Sequence, residues 1–510
     1  MKLSDLIKGL ALGDGNRQLE LDPDISSLHY RSQTVLPGGL FVAVAGQSAD
    51  GHDFLQDALD RGAAAVVVEK PIDMKGVVAV RVKNSRNALS AISSRFFREP
   101  SLRLCLIGIT GTNGKTTTSY LIENILKKSG HAVGVIGTVN YRYGGKAFKN
   151  PMTTPESLDL QRILKEMVVH GVTHVVMEVS SHAIDLDRVA HCYFDVGVFT
   201  NLSQDHLDYH QNMASYWDCK KRFFNELLVS GPKRERSVAV INCDHEKGVE
   251  LYRSQKIRRI SVGAKKPADI TIKTFKSGLS GISGTLVAGK AEIRFISPLV
   301  GGYNVENILC AAGVGVALYL PLDAVSSGIG ETGYVPGRLE SIDNDAGKFI
   351  FVDYAHTPDA LEHAATALSE MKTSNSKLIC VFGCGGNRDK VKRPLMGEIA
   401  GRICDRVVIT TDNSRDEAPG DIIRQIEEGV KKTLPRCFTA KEKMTFKGRG
   451  YGVEEDREKA IALGIGMAEA GDIVLIAGKG HETYQIIGNR TLHFDDRETA
   501  LNVLEQQSRG

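Results

Sequence analysis

One stretch of the chain, Gly108 to Thr118 with the sequence GITGTNGKTTT, restricts the fold more than any other. An apolar run, Leu104 to Ile109, leads into it and predicts a short buried strand, and a helical pattern from Thr117 to Lys128 follows it. Glycines let the backbone wrap closely around an anion, so that its N–H groups point at phosphate oxygens. Strand, glycine-rich loop and helix together predict a site for nucleotide phosphates.

Lys115 and Thr116 complete this predicted phosphate loop. The lysine supplies a positive charge for the outer phosphates, and the threonine hydroxyl can bind Mg²⁺. Gly108 lies six residues before Gly114, where the common phosphate-loop pattern has a spacing of five. A tight turn without a ligand is the alternative, but Gly-Lys-Thr after a strand disfavours it.

Composition limits the function classes. A chain of 510 residues predicts about two to four domains. The 42% apolar and 25% charged residues are typical of a soluble globular protein, and a net charge of +3 with 6% aromatic residues disfavours nucleic acid as a partner. The nine cysteines are scattered without a CxxC pair, which predicts free thiols in the cytoplasm. No apolar run approaches the length of a membrane span.

The first part of the chain, residues 1–98, is predicted to be a small α/β domain. Strand-like runs at Leu40–Ala45, Ala64–Val68 and Val77–Val82 alternate with helical patterns. A polar loop, Gly46 to Phe54, follows the first of these runs. Such loops bind ligands at the ends of open sheets, but ordinary surface turns have the same composition.

The second part, residues 99–333, holds the phosphate loop, and its alternating strands and helices predict a mostly parallel, doubly wound sheet. Glu178 ends an apolar strand, a position suited to a Mg²⁺ carboxylate. One short loop collects four further polar side chains, Asp205, His206, Asp208 and His210. Zn²⁺ would need a nearby Cys or an HExxH pattern, so a second Mg²⁺ is favoured over Zn²⁺. The alternative is that this loop is simply exposed to solvent and binds no metal.

Two other pairs in this part are ambiguous from the sequence. Lys220 and Lys221 are neighbours on a predicted helix, so they face different sides of it, and most helical lysines are solvated charges. Asn304 and Asn307 share one face of a helix and suit either a helix cap or contact with an adenine edge.

The third part, residues 334–510, is predicted to be another α/β unit. Its strands at 349–353, 378–382, 407–411 and 473–477 each end in a polar or glycine-rich loop, and parallel strands bring such loops to one rim. The rim mixes charges of both signs, which suits a small zwitterionic ligand; they are Arg388, Lys390, Lys392, Arg393, Arg415 and Lys479 beside Asp389, Asp412, Asp416 and Glu482. No GxGxxG dinucleotide fingerprint is present.

The motifs as a series resemble the Mur ligases. In order they are GITGTNGKTTT, EVSSHA, FTNLSQDHLDYH, GGYNVEN, PGRLE, VDYAHTPDAL, GGNRDKVKRPLM and AGKGHETYQ. The resemblance covers nearly the whole chain and is closest to the members that add the third amino acid of the peptidoglycan precursor; the longer phosphate-loop spacing is normal in that family. It implies a small N-terminal α/β domain (1–98) for the UDP-muramoyl substrate, a central P-loop-type ATP domain (99–333) and a Rossmann-like C-terminal domain (334–510) for the amino acid.

The resemblance also implies roles for individual residues around ATP. The phosphates would be held by Gly111, Thr112, Asn113, Gly114, Lys115, Thr116 and Thr117, and the rest of the nucleotide by Asn304, Asn307, Arg338 and Asp353. Thr116 and Glu178 would bind one Mg²⁺. His206 and Lys220 would serve a second, with Lys220 carbamylated by CO₂. The catalytic set implied is Lys115, Glu178, His206 and Lys220.

The two remaining substrates have their own implied sites. The UDP-muramoyl dipeptide would contact Ser32, Gln47, Ser48, Thr153, Thr154, Ser180 and Arg188. The incoming amino acid would contact Arg388, Asp412, Asn413, Ser414, Arg415, Gly478 and Glu482. The family's recognition motif for meso-diaminopimelate reads Asp-Asn-Pro-Arg, and here serine stands in place of the proline.

The implied reaction is ATP-dependent amide ligation in peptidoglycan synthesis. A cytoplasmic monomer would add meso-diaminopimelate to UDP-N-acetylmuramoyl-L-alanyl-D-glutamate (UDP-MurNAc-L-Ala-D-Glu) through an acyl phosphate. L-lysine is the alternative amino acid, disfavoured because Arg415 suits a second carboxylate. Two other classes stay open: a polyglutamate-type ligase, and a phosphate-loop protein that hydrolyses ATP only as a switch.

Overall fold

The computed structural model describes residues 1–13, 21–46, 49–72, 76–265, 267–438, 442 and 446–509. Contacts divide the chain into two compact units. The first comprises Met1–Ile272, Leu286–Ile293 and Glu306–Gly328, and the second comprises Lys273–Thr285, Arg294–Val305 and Ile329–Gly510. Both are α/β with largely parallel sheets, so the predicted fold class is confirmed. The three predicted domain boundaries stay a prediction.

The first unit begins with a small parallel sheet of order β1-β2-β3-β4. Its strands are β1 Ser27–His29, β2 Gly39–Val42, β3 Ala63–Val68 and β4 Ala79–Arg81, and its helices are α1 Leu3–Ile7, α2 Leu55–Asp60 and α3 Ser85–Phe96. The alternation of strand and helix predicted for residues 1–98 is therefore present.

A larger sheet follows. Its strands in the first unit are β5 Cys105–Thr110, β6 Val133–Ile136, β7 Tyr141–Tyr143, β8 Lys146–Phe148, β9 His174–Glu178, β10 Val196–Phe199, β11 Val238–Asn242 and β12 Arg258–Gly263. They lie in the order β12-β11-β10-β5-β9-β6-β7-β8. All neighbours from β12 to β6 are parallel, and β7 and β8 form an antiparallel edge. Three strands come next in the chain: β13 Ile270–Gly278, β14 Gly281–Ala288 and β15 Ala291–Ser297.

Helices connect these strands: α4 Lys115–Lys128, α5 Ser157–Val169, α6 Ser181–Asp185, α7 Leu207–His210, α8 Met213–Arg222, α9 Glu246–Ser254, α10 Asn304–Ala317 and α11 Leu322–Gly330. β5 lies between β10 and β9, so the chain leaves it toward one side of the sheet and later fills the other. Ligands bind at such a switch point, outside the carboxyl ends of the strands.

Gly108 lies inside β5 and not in the loop that follows. A Cβ there would come within 2.6 Å of the Phe223 ring and 2.8 Å of the Phe194 ring. Glycine therefore allows two buried aromatic rings to pack against the strand. The unusual spacing before Gly114 arises because Gly108 serves the core, whereas the loop itself begins at Gly111.

The second unit contains a sheet of order β16-β17-β21-β18-β19-β20, parallel except at β16. The strands of this region are β16 Glu340–Ile342, β17 Phe349–Asp353, β18 Leu378–Phe382, β19 Arg406–Ile409, β20 Gly450–Val453, β21 Ile473–Ala477, β22 Tyr484–Ile487 and β23 Arg490–His493. Its helices are α12 Pro358–Glu370, α13 Lys392–Ile403, α14 Pro419–Thr433, α15 Arg457–Gly466 and α16 Asp496–Arg509.

Alternate residues of this second sheet enter two separate cores. Leu378, Cys380 and Phe382 belong to one cluster, while Ile379 and Val381 belong to the other. Successive side chains of a strand point to opposite faces, so both faces of the sheet are buried. The register sets Asp353, Ala477, Phe382 and Ile409 side by side. The four predicted loops therefore leave the sheet along one edge.

Candidate functional site

The loop between β5 and α4 is shaped by two glycines with positive φ, Gly111 at +153° and Gly114 at +82°. A Cβ on Gly114 would lie 2.1 Å from Oδ1 of Asn307, so a larger residue does not fit. The Thr118 hydroxyl donates to that same Asn307 oxygen at 3.3 Å. Asn307 is thus packed against the phosphate loop, while its contact with a nucleotide stays a prediction.

Lys115 lies across the opening of this loop. Its ammonium donates to the carbonyls of Gly111 (2.9 Å) and Thr112 (2.8 Å). It lies at the first turn of α4, where backbone N–H groups have no partner within the helix. A cation beside free N–H groups at a helix N-terminus is a ready site for phosphate.

The rest of the loop is held from the next strand. Thr112 N donates to the Asn201 carbonyl at 3.0 Å and Asn113 N to the Asn201 side chain at 2.8 Å. The Thr200 hydroxyl donates to the Asn113 carbonyl at 2.7 Å. These contacts come from the segment directly after β10, so the neighbouring strand end fixes the loop.

Glu178 lies beside Thr116 at the end of β9 and is 1% exposed. The Thr116 hydroxyl donates to its carboxylate at 3.0 Å, and Thr138 donates to it through both its N–H (2.9 Å) and its hydroxyl (3.0 Å). A Cβ on Gly137 would come within 2.3 Å of Glu178 Oε1, so the backbone packs closely around the carboxylate. A threonine hydroxyl and a carboxylate next to a phosphate loop are oxygen ligands that fit Mg²⁺.

Lys220, on α8, is 1% exposed. Its ammonium donates to the Gly111 carbonyl at 2.9 Å and lies 4.4 Å from the Tyr216 ring centre. Burial, and then the nearby charge of Lys115, lowers the pKa of Lys220 well below its ordinary value. Lys221, its neighbour, instead pairs with Asp218 at 2.7 Å on the outer side of the helix. The two lysines therefore face different sides of the helix, as the sequence predicted, and Lys220 is buried whereas the Lys221 side chain is 29% exposed.

His206 has a positive φ of +53°, and its side chain is 42% exposed. Its Nε2 lies 3.5 Å from Asp205, and its ring centre lies 6.0 Å from that of Tyr216. His206 and Lys220 thus approach the same tyrosine. In the described part of the chain no group of three His, Cys, Asp or Glu side chains has the geometry of a metal site.

Four residues predicted to contact the muramoyl dipeptide lie together behind Glu178. The Thr153 hydroxyl lies 3.1 Å from that of Thr138, and the Thr154 hydroxyl donates to the Glu178 carbonyl at 2.8 Å. Ser180 N donates to the Thr154 hydroxyl at 3.1 Å, and Arg188 donates to the Thr154 carbonyl at 3.2 Å. Ser32 is buried near the start of the chain, and Gln47 and Ser48 lie outside the described residues.

Arg86 and Glu156 were not predicted. Arg86 donates to the Ala45 carbonyl at 2.9 Å and to Glu156 at 3.3 Å, and Glu156 lies 3.4 Å from Arg188. This chain of contacts connects the small sheet to the cluster beside Glu178. Neither residue belongs to a recognisable motif, and the two lie far apart in the sequence. Their contact was therefore not predictable.

Three residues predicted to hold the nucleotide lie in the second unit. Asp353 accepts backbone N–H groups of Leu339 (2.7 Å) and Ala355 (2.8 Å), and burial raises its pKa although Arg338 opposes this. The Arg338 guanidinium lies 5.2 Å from the Tyr354 ring centre. Asn304 donates to the Val300 carbonyl at 2.7 Å, which anchors the start of α10.

The loops after β19 and β21 meet at Lys479, whose side chain is 0% exposed. Its ammonium donates to Asp412 at 3.0 Å and to Asn413 at 3.1 Å. Burial alone would raise the pKa of Asp412, but the charge of Lys479 holds it below its ordinary value. Asp412 was predicted to bind a substrate ammonium. In the structure its carboxylate already accepts a hydrogen bond from the Lys479 ammonium, so a substrate ammonium would have to share it.

Glu482 is a second carboxylate beside Lys479, 3.6 Å from its ammonium. It accepts an N–H of Asn413 at 2.9 Å, and burial together with Asp412 raises its pKa. Gly478, with φ of +113°, starts the loop that carries Glu482, and its N–H donates to the Asp353 carbonyl at 3.1 Å.

Two arginines lie close to Gly385, which is in the loop after β18. Arg415 donates to the Gly386 carbonyl at 2.7 Å, and a Cβ on Gly385 would lie 3.0 Å from Arg415 Nη1 and 3.7 Å from Arg388 Cγ. Both arginines therefore flank Gly385. Within the described residues, Arg388 makes no hydrogen bond or ion pair, which leaves its guanidinium free for a ligand.

Family descriptions match three consecutive parts of the chain. They are "Mur ligase family, catalytic domain" at residues 24–103, "Mur ligase middle domain" at 109–315 and "Mur ligase, glutamate ligase domain" at 337–480. A UDP-N-acetylmuramoyl-L-alanyl-D-glutamate–2,6-diaminopimelate ligase of Geobacter metallireducens is 45% identical over 510 residues, covering 100% of this chain and 99% of that protein. The chain belongs to the Mur ligase family.

Two further similarities accompany this assignment. A ligase of the same name from Bacillus velezensis is 43% identical over 479 residues, covering 94% of each chain. A solved structure of a UDP-N-acetylmuramoyl-L-alanyl-D-glutamate–2,6-diaminopimelate ligase is 28% identical with a TM-score of 0.69, covering 100% of this chain and 99% of that one. The predicted family and the predicted ATP-dependent carbon–nitrogen ligase class are confirmed.

As a Mur ligase, the protein uses ATP with Mg²⁺, and the oxygen ligands of Thr116 and Glu178 suit that ion. No helix in the described ranges is long and apolar enough to cross a membrane. All nine cysteines are free thiols, as the sequence predicted.

Ser414 stands where the resemblance expects proline, and we predict that Ser414→Pro is tolerated. Its carbonyl accepts Glu417 N at 3.1 Å, whereas no hydrogen bond from its own N–H is found among the described residues. Proline would remove no bond and would restrict the unfolded chain, which stabilises proteins by about 0.4–1 kcal/mol. Thermal unfolding beside Ser414→Ala is the measurement. A loss of stability in the proline variant alone would mean that the turn does not accept a proline φ.

Proposed function

We propose that this Mur ligase forms an amide between UDP-MurNAc-L-Ala-D-Glu and meso-diaminopimelate, with ATP converted to ADP and phosphate. The observation that supports the amino acid best is the pocket around Gly385. It combines the guanidinium groups of Arg388 and Arg415 with the carboxylates of Asp412 and Glu482. Diaminopimelate has two carboxylates and two amines, so it needs partners of both signs.

In the first step an oxygen of the D-glutamate γ-carboxylate attacks the γ-phosphorus of ATP, and the bond to ADP breaks. A carboxylate alone does not react with an amine, because oxide would have to leave. The ammonium of Lys115 lies 2.9 Å from the Gly111 carbonyl and is the cation available to the transferred phosphoryl group. Phosphoryl transfer depends mainly on positioning and on such charge stabilisation.

In the second step the neutral amine of the amino acid attacks the acyl carbon, the bond to phosphate breaks, and the proton that the nitrogen loses passes to the departing phosphate. Glu482, which accepts an N–H of Asn413 at 2.9 Å, would hold the ammonium at the end of diaminopimelate that does not react. Arg415 would bind the carboxylate at that same end. Together they position the other amine, which is the nucleophile.

We further propose two Mg²⁺ ions and a carbamylated Lys220. Thr116 and Glu178 would hold one ion, while His206 and the carbamate would hold the other; Mg²⁺ when bound neutralises phosphate charge. The buried amine of Lys220 has the lowered pKa that favours the neutral form able to add CO₂. Addition of CO₂ to the neutral amine releases a proton and places an anion beside Lys115. The monomeric state and the cytoplasmic location of the protein stay predictions.

A competition assay tests the proposed substrate. Purified enzyme with ATP, Mg²⁺ and UDP-MurNAc-L-Ala-D-Glu is offered meso-diaminopimelate and L-lysine together, and the products are separated by mass. We expect diaminopimelate to be used at least about ten-fold faster, because lysine lacks the carboxylate that a bidentate guanidinium binds. Preference for L-lysine would overturn the proposed amino acid. ADP formation independent of the UDP-muramoyl dipeptide would favour an ATPase switch.

Arg415→Ala is expected to raise the KM for diaminopimelate at least about 30-fold, since truncating one partner of a buried charge pair costs about 2–5 kcal/mol. The KM for L-lysine should change little. Arg424→Ala is the matched control, because Arg424 is exposed and pairs with Asp421 on α14. Steady-state kinetics with both amino acids is the measurement. Equal losses for the two amino acids would show that Arg415 does not bind the far carboxylate.

A further inference from the structure

A fully buried ion pair lies beneath the amino-acid pocket. Arg457 is the first residue of α15 and Asp496 the first of α16, and both side chains are 0% exposed. Arg457 Nε donates to one carboxylate oxygen at 2.8 Å and Nη2 to the other at 2.7 Å. The pair is bidentate, which fixes the plane and direction of the guanidinium.

The remaining donors of Arg457 reach two strand ends. Nη1 donates to the Thr411 carbonyl at 3.1 Å, and Nη2 donates to the Ala477 carbonyl at 3.0 Å. These carbonyls directly precede Asp412 and Gly478, the first pocket residues of the two loops. One guanidinium therefore touches the base of both loops that form the amino-acid pocket.

The sheet itself does not connect these two bases. β18 lies between β21 and β19, so no ladder of hydrogen bonds joins the strands that carry the loops. Strands two positions apart are separated by about 10 Å. Arg457 spans this gap below the pocket, as Lys479 does above it through Asp412 and Asn413.

Stability alone is a weak reason for such a pair. Replacing a buried ion pair by apolar residues of similar volume is often neutral or stabilising, because both charges had to be removed from water. The charge of Arg457 also reaches the pocket. It lowers the pKa of Asp412 after the larger effects of burial and Lys479, and Arg457 in turn interacts with Glu482.

We propose that Arg457, oriented by Asp496, is a positioning residue for the amino-acid substrate. It does not touch the substrate. It holds the loop from Asp412 to Arg415 at a fixed distance from the loop from Gly478 to Glu482, and these two loops carry the groups proposed to contact the amino acid. The inference rests on the proposed function, in which this pocket takes diaminopimelate.

The test compares KM values for the three substrates in the double variant Arg457→Met/Asp496→Leu, which leaves neither charge buried alone. We expect the KM for diaminopimelate to rise about 10- to 100-fold, the factor by which losing one hydrogen bond to a charged group of the substrate weakens binding. The KM values for ATP and for the UDP-muramoyl dipeptide should stay within about three-fold. Arg457→Lys, which keeps the charge but loses the bidentate contact, should be intermediate.

Arg406→Met is the matched control. Arg406 is also buried, but it lies at the amino end of β19, whereas the two loops follow the carboxyl ends of their strands. It donates to the Met467 carbonyl at 2.8 Å. Its loss should reduce thermal stability without changing the KM for diaminopimelate. If the double variant does not fold, Arg457→Lys and Asp496→Asn provide the same comparison.

The outcomes separate the two proposals. An active wild-type enzyme whose folded Arg457 and Asp496 variants keep the wild-type KM for diaminopimelate would overturn the positioning role alone. A similar rise in the KM values for all three substrates would also overturn the positioning role, because it would indicate a general loosening of the protein. A wild-type enzyme that does not ligate diaminopimelate would overturn the proposed function and this inference with it.

Discussion

Lys115→Ala is expected to reduce amide formation about 1,000-fold or more at saturating ATP while leaving the fold intact. The ammonium lies 2.9 Å from the Gly111 carbonyl and 2.8 Å from that of Thr112, at the start of α4. Removing a charge that stabilises a transferred phosphoryl group typically lowers rates by about 10³ to 10⁵. The side chain contributes two bonds to loop carbonyls, so its loss should hardly change the free energy of unfolding.

The matched control is Lys127→Ala on the same helix. Lys127 lies in the last turn of α4, is half exposed and pairs with Glu123 at 2.8 Å. Its removal should leave the rate within about two-fold of wild type, since exposed pairs contribute little. Product formation and thermal unfolding are measured for both variants. More than a few per cent of wild-type activity in Lys115→Ala would contradict the assigned role.

The phosphate loop was predictable because its signals are local. A buried strand, glycines with positive φ and a helix start all lie within a few residues, and each leaves its own pattern. Glu178 was predictable for a related reason: it ends an apolar strand, and carboxyl ends of neighbouring parallel strands meet. The structure places that carboxylate 3.0 Å from Thr116, as this reasoning requires.

Contacts between distant segments were not predictable in the same way. Thr138 donates twice to Glu178, and Arg86 joins Ala45 to Glu156, but neither residue type is unusual for its surroundings in the sequence. Their partners are chosen by the register of separate strands and helices. The burial of Arg457 was not predictable either. It is a charged residue at the start of a helix, and such residues are mostly exposed.

The number of charges in these loops did not predict how buried each charged side chain is in the proposed amino-acid site. The sequence places Lys479 on a rim of mixed charge, whereas the structure buries it completely against Asp412 and Asn413. A buried lysine needs such partners, because an unpaired charge away from water is strongly unfavourable. Arg393, also expected on this rim, is likewise buried and pairs with Glu417 at 2.9 Å, so the pairing of these charges depends on how the loops meet.

Lys220→Ala should be nearly inactive, with a loss of at least about 100-fold, although the residue lies on an ordinary helix. Its buried amine donates to the same Gly111 carbonyl as Lys115, which places it beside the phosphate loop and next to a second cationic side chain. A carbamate on Lys220, as proposed, would supply oxygen ligands for Mg²⁺ at this position. Alanine removes the amine without supplying any ligand. Short carboxylates such as formate or acetate should enter the vacated space and restore part of the activity.

Lys221→Ala separates this role from a general effect on the helix. Lys221 pairs with Asp218 at 2.7 Å and lies 5.7 Å from the Trp217 ring, away from the phosphate loop. Its activity should stay within about two-fold of wild type, and added carboxylates should have no effect on it. The measurement is the ligation rate of each variant with increasing formate or acetate. Equal sensitivity of the two lysines, or no rescue of a folded Lys220→Ala, would contradict the carbamate, because only the buried amine can form a ligand facing the phosphates.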